Sequence, residues 1–71
     1  MGTWNYRVYK HTSETDHVYY AIHEVYYTDD GIMNGRTESA VWPAGQTVEE
    51  LRSDIMRMLK ALDQPVMETT D

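Results

Sequence analysis

Val18-Tyr19-Tyr20-Ala21-Ile22-His23-Glu24-Val25-Tyr26-Tyr27 is the stretch on which the fold turns. A run this rich in Tyr, Val and Ile reads as a β-strand, because β-branched and aromatic side chains suit a pleated, half-buried surface. Alternation sends Val18, Tyr20, Ile22, Glu24 and Tyr26 to one face and Tyr19, Ala21, His23, Val25 and Tyr27 to the other. Both sets are partly apolar. The strand is therefore predicted to be central and covered on both sides, or to present an exposed aromatic face.

Upstream, Trp4, Tyr6 and Val8 alternate with Asn5, Arg7 and Tyr9, which predicts a half-buried strand from Trp4 to Lys10. The polar segment from His11 to Asp16 reads as the connecting turn. Downstream, Thr28-Asp29-Asp30-Gly31 is predicted to be a hairpin turn, with Gly31 taking the positive φ such connections need. A less regular strand is expected between Ile32 and Val41, interrupted by Gly35, and Pro43 and Gly45 close the sheet.

A helix follows. Thr47-Val48-Glu49-Glu50 is a capping box, in which Thr47 caps the amide of Glu50 and Glu50 reaches back. Glu49 and Glu50 also suit the positive end of the helix dipole. Val48, Leu51, Ile55, Met58, Leu59 and Leu62 form one apolar stripe, expected to be buried on the sheet, while Arg52, Arg57 and Lys60 lie off it. Pro65 ends the helix. Pro65-Val66-Met67 suggests a short last strand at a sheet edge, and Glu68 to Asp71 is expected to fray. Residues 1–71 are thus predicted to be a single small α+β domain, a three-stranded antiparallel sheet (β-β-β-α, with or without a short fourth strand) packed on one amphipathic helix.

The composition narrows the function classes. A chain of 71 residues has a thin core. With no cysteine it has no disulfide, thiolate zinc site or cysteine nucleophile. This favours a reducing, cytoplasmic setting, or a homodimer that extends the core across an interface. No stretch approaches the ~20 apolar residues of a membrane span. The net charge of −6 disfavours binding to a phosphate backbone and suits docking against a basic surface.

Catalytic constellations are not evident. His11, His17, His23 and Glu24 could suggest a metal site or a small metal-dependent hydrolase, but no His-x-His or His-x-x-x-His spacing pairs two imidazoles on one face. His23 and Glu24, being adjacent in a strand, point to opposite sides. Asp29-Asp30-Gly31 lacks the alternating ligands of a calcium loop, and Ser13 and Ser39 sit in no recognisable catalytic setting. No catalytic residue, metal or cofactor is expected. The six tyrosines carry more information, since all lie in the first two strands and about half cannot enter a helix-covered core. They suit either cross-strand pairing or an interface. Stacking of nucleic-acid bases on Tyr6, Tyr20 or Tyr26 is the alternative, disfavoured by the acidic charge and by the few cations (Arg7, Lys10, Arg36) on that sheet. An unpaired sheet edge offers strand addition.

Taken whole, the chain resembles a family of uncharacterised bacterial proteins of about 70 residues. The likeness runs through Trp4-Asn5-Tyr6-Arg7-Val8, the stretch from Tyr19 to Tyr27, Gly45-Gln46-Thr47-Val48-Glu49-Glu50-Leu51 and Ala61-Leu62-Asp63-Gln64-Pro65-Val66. More distantly the plan resembles the partial ribonuclease-H-like domain of HicB-type antitoxins, whose helix opens on the Gly-x-Thr-x-Glu-Glu pattern found at Gly45–Glu50. The Tyr-rich second strand departs from that pattern. The tyrosines and the sheet edge thus predict a non-enzymatic protein-binding module, antitoxin-like or inhibitor-like, and the HicB-like resemblance implies a small basic toxin or nuclease as its partner. The residues expected to meet it are Tyr6, Tyr20, Tyr26, Glu24, Asp29, Asp30 and Glu38, on an acidic, Tyr-rich sheet surface or sheet edge.

Overall fold

The two alternating segments pair as expected and form the backbone of the molecule. A computed structural model describes residues 2–70 and contains, in order, β1 (Thr3–Thr12), β2 (Val18–Tyr27), β3 (Met33–Arg36), α1 (Val48–Ala61) and β4 (Met67–Thr70). β1 and β2 are antiparallel along their full length, in a register that sets Tyr6 opposite Glu24 and Val8 opposite Ile22. The sheet order is β3-β2-β1-β4. β3 is antiparallel to β2, and β4 runs parallel to β1 from Tyr9↔Met67 to Thr12↔Thr70. The expected α+β plan with a short fourth strand is therefore present. Residues 68–70, expected to fray, are paired instead, because β1 offers a free edge and Lys10 meets Glu68 at 3.8 Å across it. Asp71 lies outside the described residues.

Each turn has a local cause. Asp16 takes a left-handed φ of 61°, and the turn is held by Asp16 N–H to Ser13 C=O (2.9 Å) and His17 N–H to Ser13 Oγ (3.1 Å). Gly31 supplies φ 80° at the second turn, whose Thr28 bonds both ways with Ile32. The third strand is shorter than expected. Beyond Arg36 the chain follows β2 through two bonds, Thr37 N–H to Glu24 C=O and Val41 N–H to Ile22 C=O, each 2.9 Å.

α1 begins at the capping box. Thr47 Oγ1 accepts from Glu50 N–H at 3.1 Å, although the Glu50 carboxylate reaches Gln46 N–H (3.0 Å) rather than Thr47. Gly45 lies so close to the first turn that a Cβ there would stand 2.6 Å from Leu51 N.

The helix packs on the face of β1 that carries Tyr6 and Val8, and these form a core with Met58 and Ala61, flanked by Ile22 and Val41. This corrects the expected burial of the apolar stripe. The helix buries Asp54, Met58 and Ala61 and half-buries Leu51, whereas Val48, Ile55, Leu59 and Leu62 are exposed. The buried line is turned about a quarter-turn from the apolar stripe. The physical reason is Asp54, whose carboxylate is anchored to the sheet and pulls its own side of the helix inward.

The other sheet face is covered as well. Tyr9, His11, His23 and Val25 are all buried there without a helix above them. The cover comes from the sheet itself. Arg36 on β3 reaches Thr69 on β4 (Nη2 to Oγ1, 3.4 Å), although these are opposite edges of the sheet. In a flat sheet the two strands would lie about 14 Å apart. The curl folds both edges over Tyr9 and the two imidazoles.

Candidate functional site

Two side-chain constellations stand out, one sealed and one open. The sealed one lies under the curl. His11 Nε2 and His23 Nε2 are 2.8 Å apart, His11 stacks on Tyr19 with ring centroids 4.7 Å apart, and the Arg36 guanidinium lies 4.7 Å over the Tyr9 ring. His23 Nδ1 is 2.9 Å from Thr37 C=O, which only a protonated Nδ1 can satisfy. His23 Nε2 is then the acceptor and His11 Nε2–H the donor. The separation of histidines expected from their spacing does not hold for this pair, because twist and curl bring side chains four register positions apart into contact across one face. The cluster is structural in geometry: His23 is 1% exposed. Glu24 faces the other way, and among the described residues no group of three or more His, Asp or Glu is placed to hold a metal ion.

The open constellation is a cleft between the sheet and the start of the helix, lined by Tyr6, Glu24, Thr37, Val41, Trp42 and Asp54. β1 and β2 supply Tyr6 and Glu24 as opposite neighbours, and the segment after β3 supplies its outer wall. At its base Tyr6 donates a hydrogen bond to Asp54 Oδ1. Asp54 Oδ2 accepts from Ala44 N–H at 3.0 Å, and Arg57 Nη2 approaches Oδ1 at 3.3 Å. The bond from Tyr6, with those from Ala44 and Arg57, holds the Asp54 carboxyl below its ordinary range. Burial and the Asp54 carboxylate push the Tyr6 phenol up to about 12. Asp54 is therefore a saturated anion that braces the cleft.

Glu24 differs. Its one side-chain bond is from Tyr26 Oη, at 3.2 Å, and no Lys or Arg lies within ion-pair distance of it among the described residues. Partial desolvation and the Glu24 charge raise the pKa of Tyr26. Glu38 is exposed between Thr37 and Ser39, both of which line the cleft. Trp42 is 77% exposed.

The expected contact residues thus separate into groups. Glu24 lines the cleft and Tyr26 bonds to Glu24, whereas Glu38 is exposed between two lining residues and is not itself part of the lining. Tyr6 is not a surface residue, since the helix covers its ring and Asp54 takes its hydroxyl. Tyr20 is 60% exposed but sits opposite Lys10, toward the other end of the hairpin. Asp29 and Asp30 are exposed at the β2–β3 turn. Sequence reasoning missed Trp42 and Asp54. Trp42-Pro43 carried the signal of an indole in a segment with no strand or helix period to bury it.

The site and fold define a small α+β protein with a curled mixed sheet, one helix and an acidic aromatic cleft. Scans against protein-family models, curated proteins and solved structures found no match to this chain. Among the described residues no helix is long and apolar enough to cross a membrane.

Proposed function

We propose that the chain is a non-enzymatic protein-binding module, inhibitor-like or antitoxin-like, that receives a basic partner at the Glu24–Tyr26–Glu38–Trp42 cleft. The observation that carries this reading is the imbalance of charge that remains after folding. Of the six basic side chains, Arg7 donates to Pro65 C=O, Lys10 pairs with Glu68, Arg36 lies over Tyr9, and Arg57 pairs with Asp54. Most cations are thus engaged with the chain itself, while among the described residues no Lys or Arg is within ion-pair distance of Glu24 or Glu38.

A half-desolvated carboxylate flanked by a phenol and an exposed indole suits an Arg or Lys side chain. The carboxylate offers a charge-assisted hydrogen bond and the rings offer cation–π faces. The surrounding negative field would speed encounter with a basic surface. Base stacking loses Tyr6, which is buried, and Arg57 at the cleft's base is already paired with Asp54. A cytoplasmic location fits the cysteine-free composition.

The test is a titration of the 15N-labelled protein with an arginine-rich peptide, followed by amide shifts and Trp fluorescence. Shifts should concentrate at Glu24, Tyr26, Glu38 and Trp42 and shrink in Glu24→Lys/Glu38→Lys. Shifts spread evenly over all acidic residues would sink the assignment.

A further inference from the structure

The outer face of α1 is apolar and uncovered. Val48, Ile55, Met56, Leu59 and Leu62 are between 47% and 70% exposed, and Val48, Leu51, Arg52, Ile55 and Met56 enclose a shallow depression on it. By contrast, only six hydrophobic residues among those described (Tyr6, Val8, Tyr9, Val25, Met58 and Ala61) are buried. Scattered exposed apolar residues are ordinary, but a continuous stripe along a helix marks a contact surface. The stripe remains outside because Asp54 and Tyr6 fix the helix about its axis, so the burial expected from hydropathy is not available within one chain.

We propose that this face is a homodimer interface, in which α1 packs antiparallel on α1 of a second copy. Charge placement selects the occupant and its direction. Glu49 stands in the first turn of α1 and Lys60 in the last. At 100° per residue both fall on the same flank of the stripe. In an antiparallel pair like flanks meet, so Glu49 of each copy lies beside Lys60 of the other, twice by symmetry. A parallel pair would set unlike flanks together, with Glu49 and Lys60 at opposite ends of the seam, and lose both contacts. The two-fold axis passes near Ile55, midway between Val48 and Leu62. The helix dipoles also oppose one another in this arrangement. A lipid surface is the poorer occupant, since an anionic headgroup layer repels a chain of net charge −6. The interface is spatially separate from the acidic cleft, so the two proposals stand or fall independently.

The experiment is sedimentation equilibrium of the full chain from about 1 µM to about 1 mM, the range in which a small interface dissociates. Vesicle co-sedimentation with phosphatidylcholine and phosphatidylserine runs in parallel. The expected result is a concentration-dependent dimer whose dissociation constant rises at least about tenfold in Ile55→Lys. Glu49→Lys and Lys60→Glu should each weaken it about threefold or more, and the double exchange should restore it. Circular dichroism of each variant keeps misfolding apart from lost association, because all three positions are exposed. A strict monomer over the whole range overturns the proposal, as does a dimer indifferent to Ile55→Lys. So does Ile55-dependent vesicle binding by a monomeric chain, which would assign the face to lipid.

Discussion

Tyr6 on β1 donates its hydroxyl to Asp54 on α1, 48 positions away in the chain. This single bond decides how the helix lies on the sheet. Both groups are almost buried, and Asp54 is otherwise held by the Ala44 amide and Arg57. Removing one partner leaves the other desolvated and underpaired, which costs more than an exposed hydrogen bond would. Tyr6→Phe is expected to lower unfolding free energy by about 1.5–3 kcal/mol, and Asp54→Ala by a similar or larger amount. Urea denaturation of both variants and of the double variant should show coupling of about 1 kcal/mol or more. Additive losses would mean that the two groups act separately.

The same pair sets the pH limits of stability. Because the Asp54 pKa is depressed in the folded state, its contribution is complete above the ordinary carboxyl pKa of about 4 and is lost as pH falls through the folded value. Tyr6 is raised to about 12, so its contribution is complete below the ordinary phenol pKa of about 10 and is lost as pH rises toward 12. Melting temperature against pH should therefore fall at both ends. Asp54→Asn should flatten the acid limb and Tyr6→Phe the alkaline one. An unchanged acid limb in Asp54→Asn would assign acid unfolding to other carboxylates.

Local signals in the chain predicted what is local in the fold. The Thr47 cap, the Gly31 turn and the β1–β2 pairing all depend on residues close in sequence or on a period of two, and all are present. The orientation of the helix was not legible, because hydropathy ranks Asp54 as a solvent residue. The distant phenol of Tyr6, with the Ala44 amide and Arg57, makes its burial favourable. The His11–His23 contact was hidden for a related reason: it depends on sheet curl, which neither histidine's neighbours reveal. β4 was marked only by Pro65-Val66-Met67, since Glu68-Thr69-Thr70 has little apolar character and joins the sheet by backbone pairing alone. Of the residues that line the cleft, Glu24 was singled out from its charge and strand position. Trp42 was not, as its segment follows β2 without being a strand.

The shortest contacts of the imidazole pair select one proton assignment for the neutral rings, against the longer approach of Arg36 Nη1 to His23 Nδ1 at 3.3 Å. Thr37 C=O fixes the proton of His23 on Nδ1, leaving Nε2 to accept from His11 at 2.8 Å. Long-range 15N correlation spectra at neutral pH should show His23 as the Nδ1–H tautomer and His11 protonated on Nε2. A His23 ring protonated on Nε2 would contradict this geometry. His23→Ala should also destabilise by about 2–4 kcal/mol, because it empties a fully buried position and strands two hydrogen-bond partners.

Two backbone positions should respond in opposite directions. At Gly45 an added Cβ would meet Leu51 N at 2.6 Å and Glu50 Cβ at 2.7 Å. Neither atom can move without opening the first turn of α1, so Gly45→Ala is expected to cost about 1–3 kcal/mol. Asp16 holds φ 61°, a region glycine enters without steric penalty. Asp16→Gly should relieve that strain at the expense of a more flexible unfolded chain. The net effect is expected to be a gain of up to about 1 kcal/mol, seen as a raised urea midpoint with unchanged slope. A loss on Asp16→Gly would show that the aspartate side chain, and not the turn conformation, is what stabilises the β1–β2 connection.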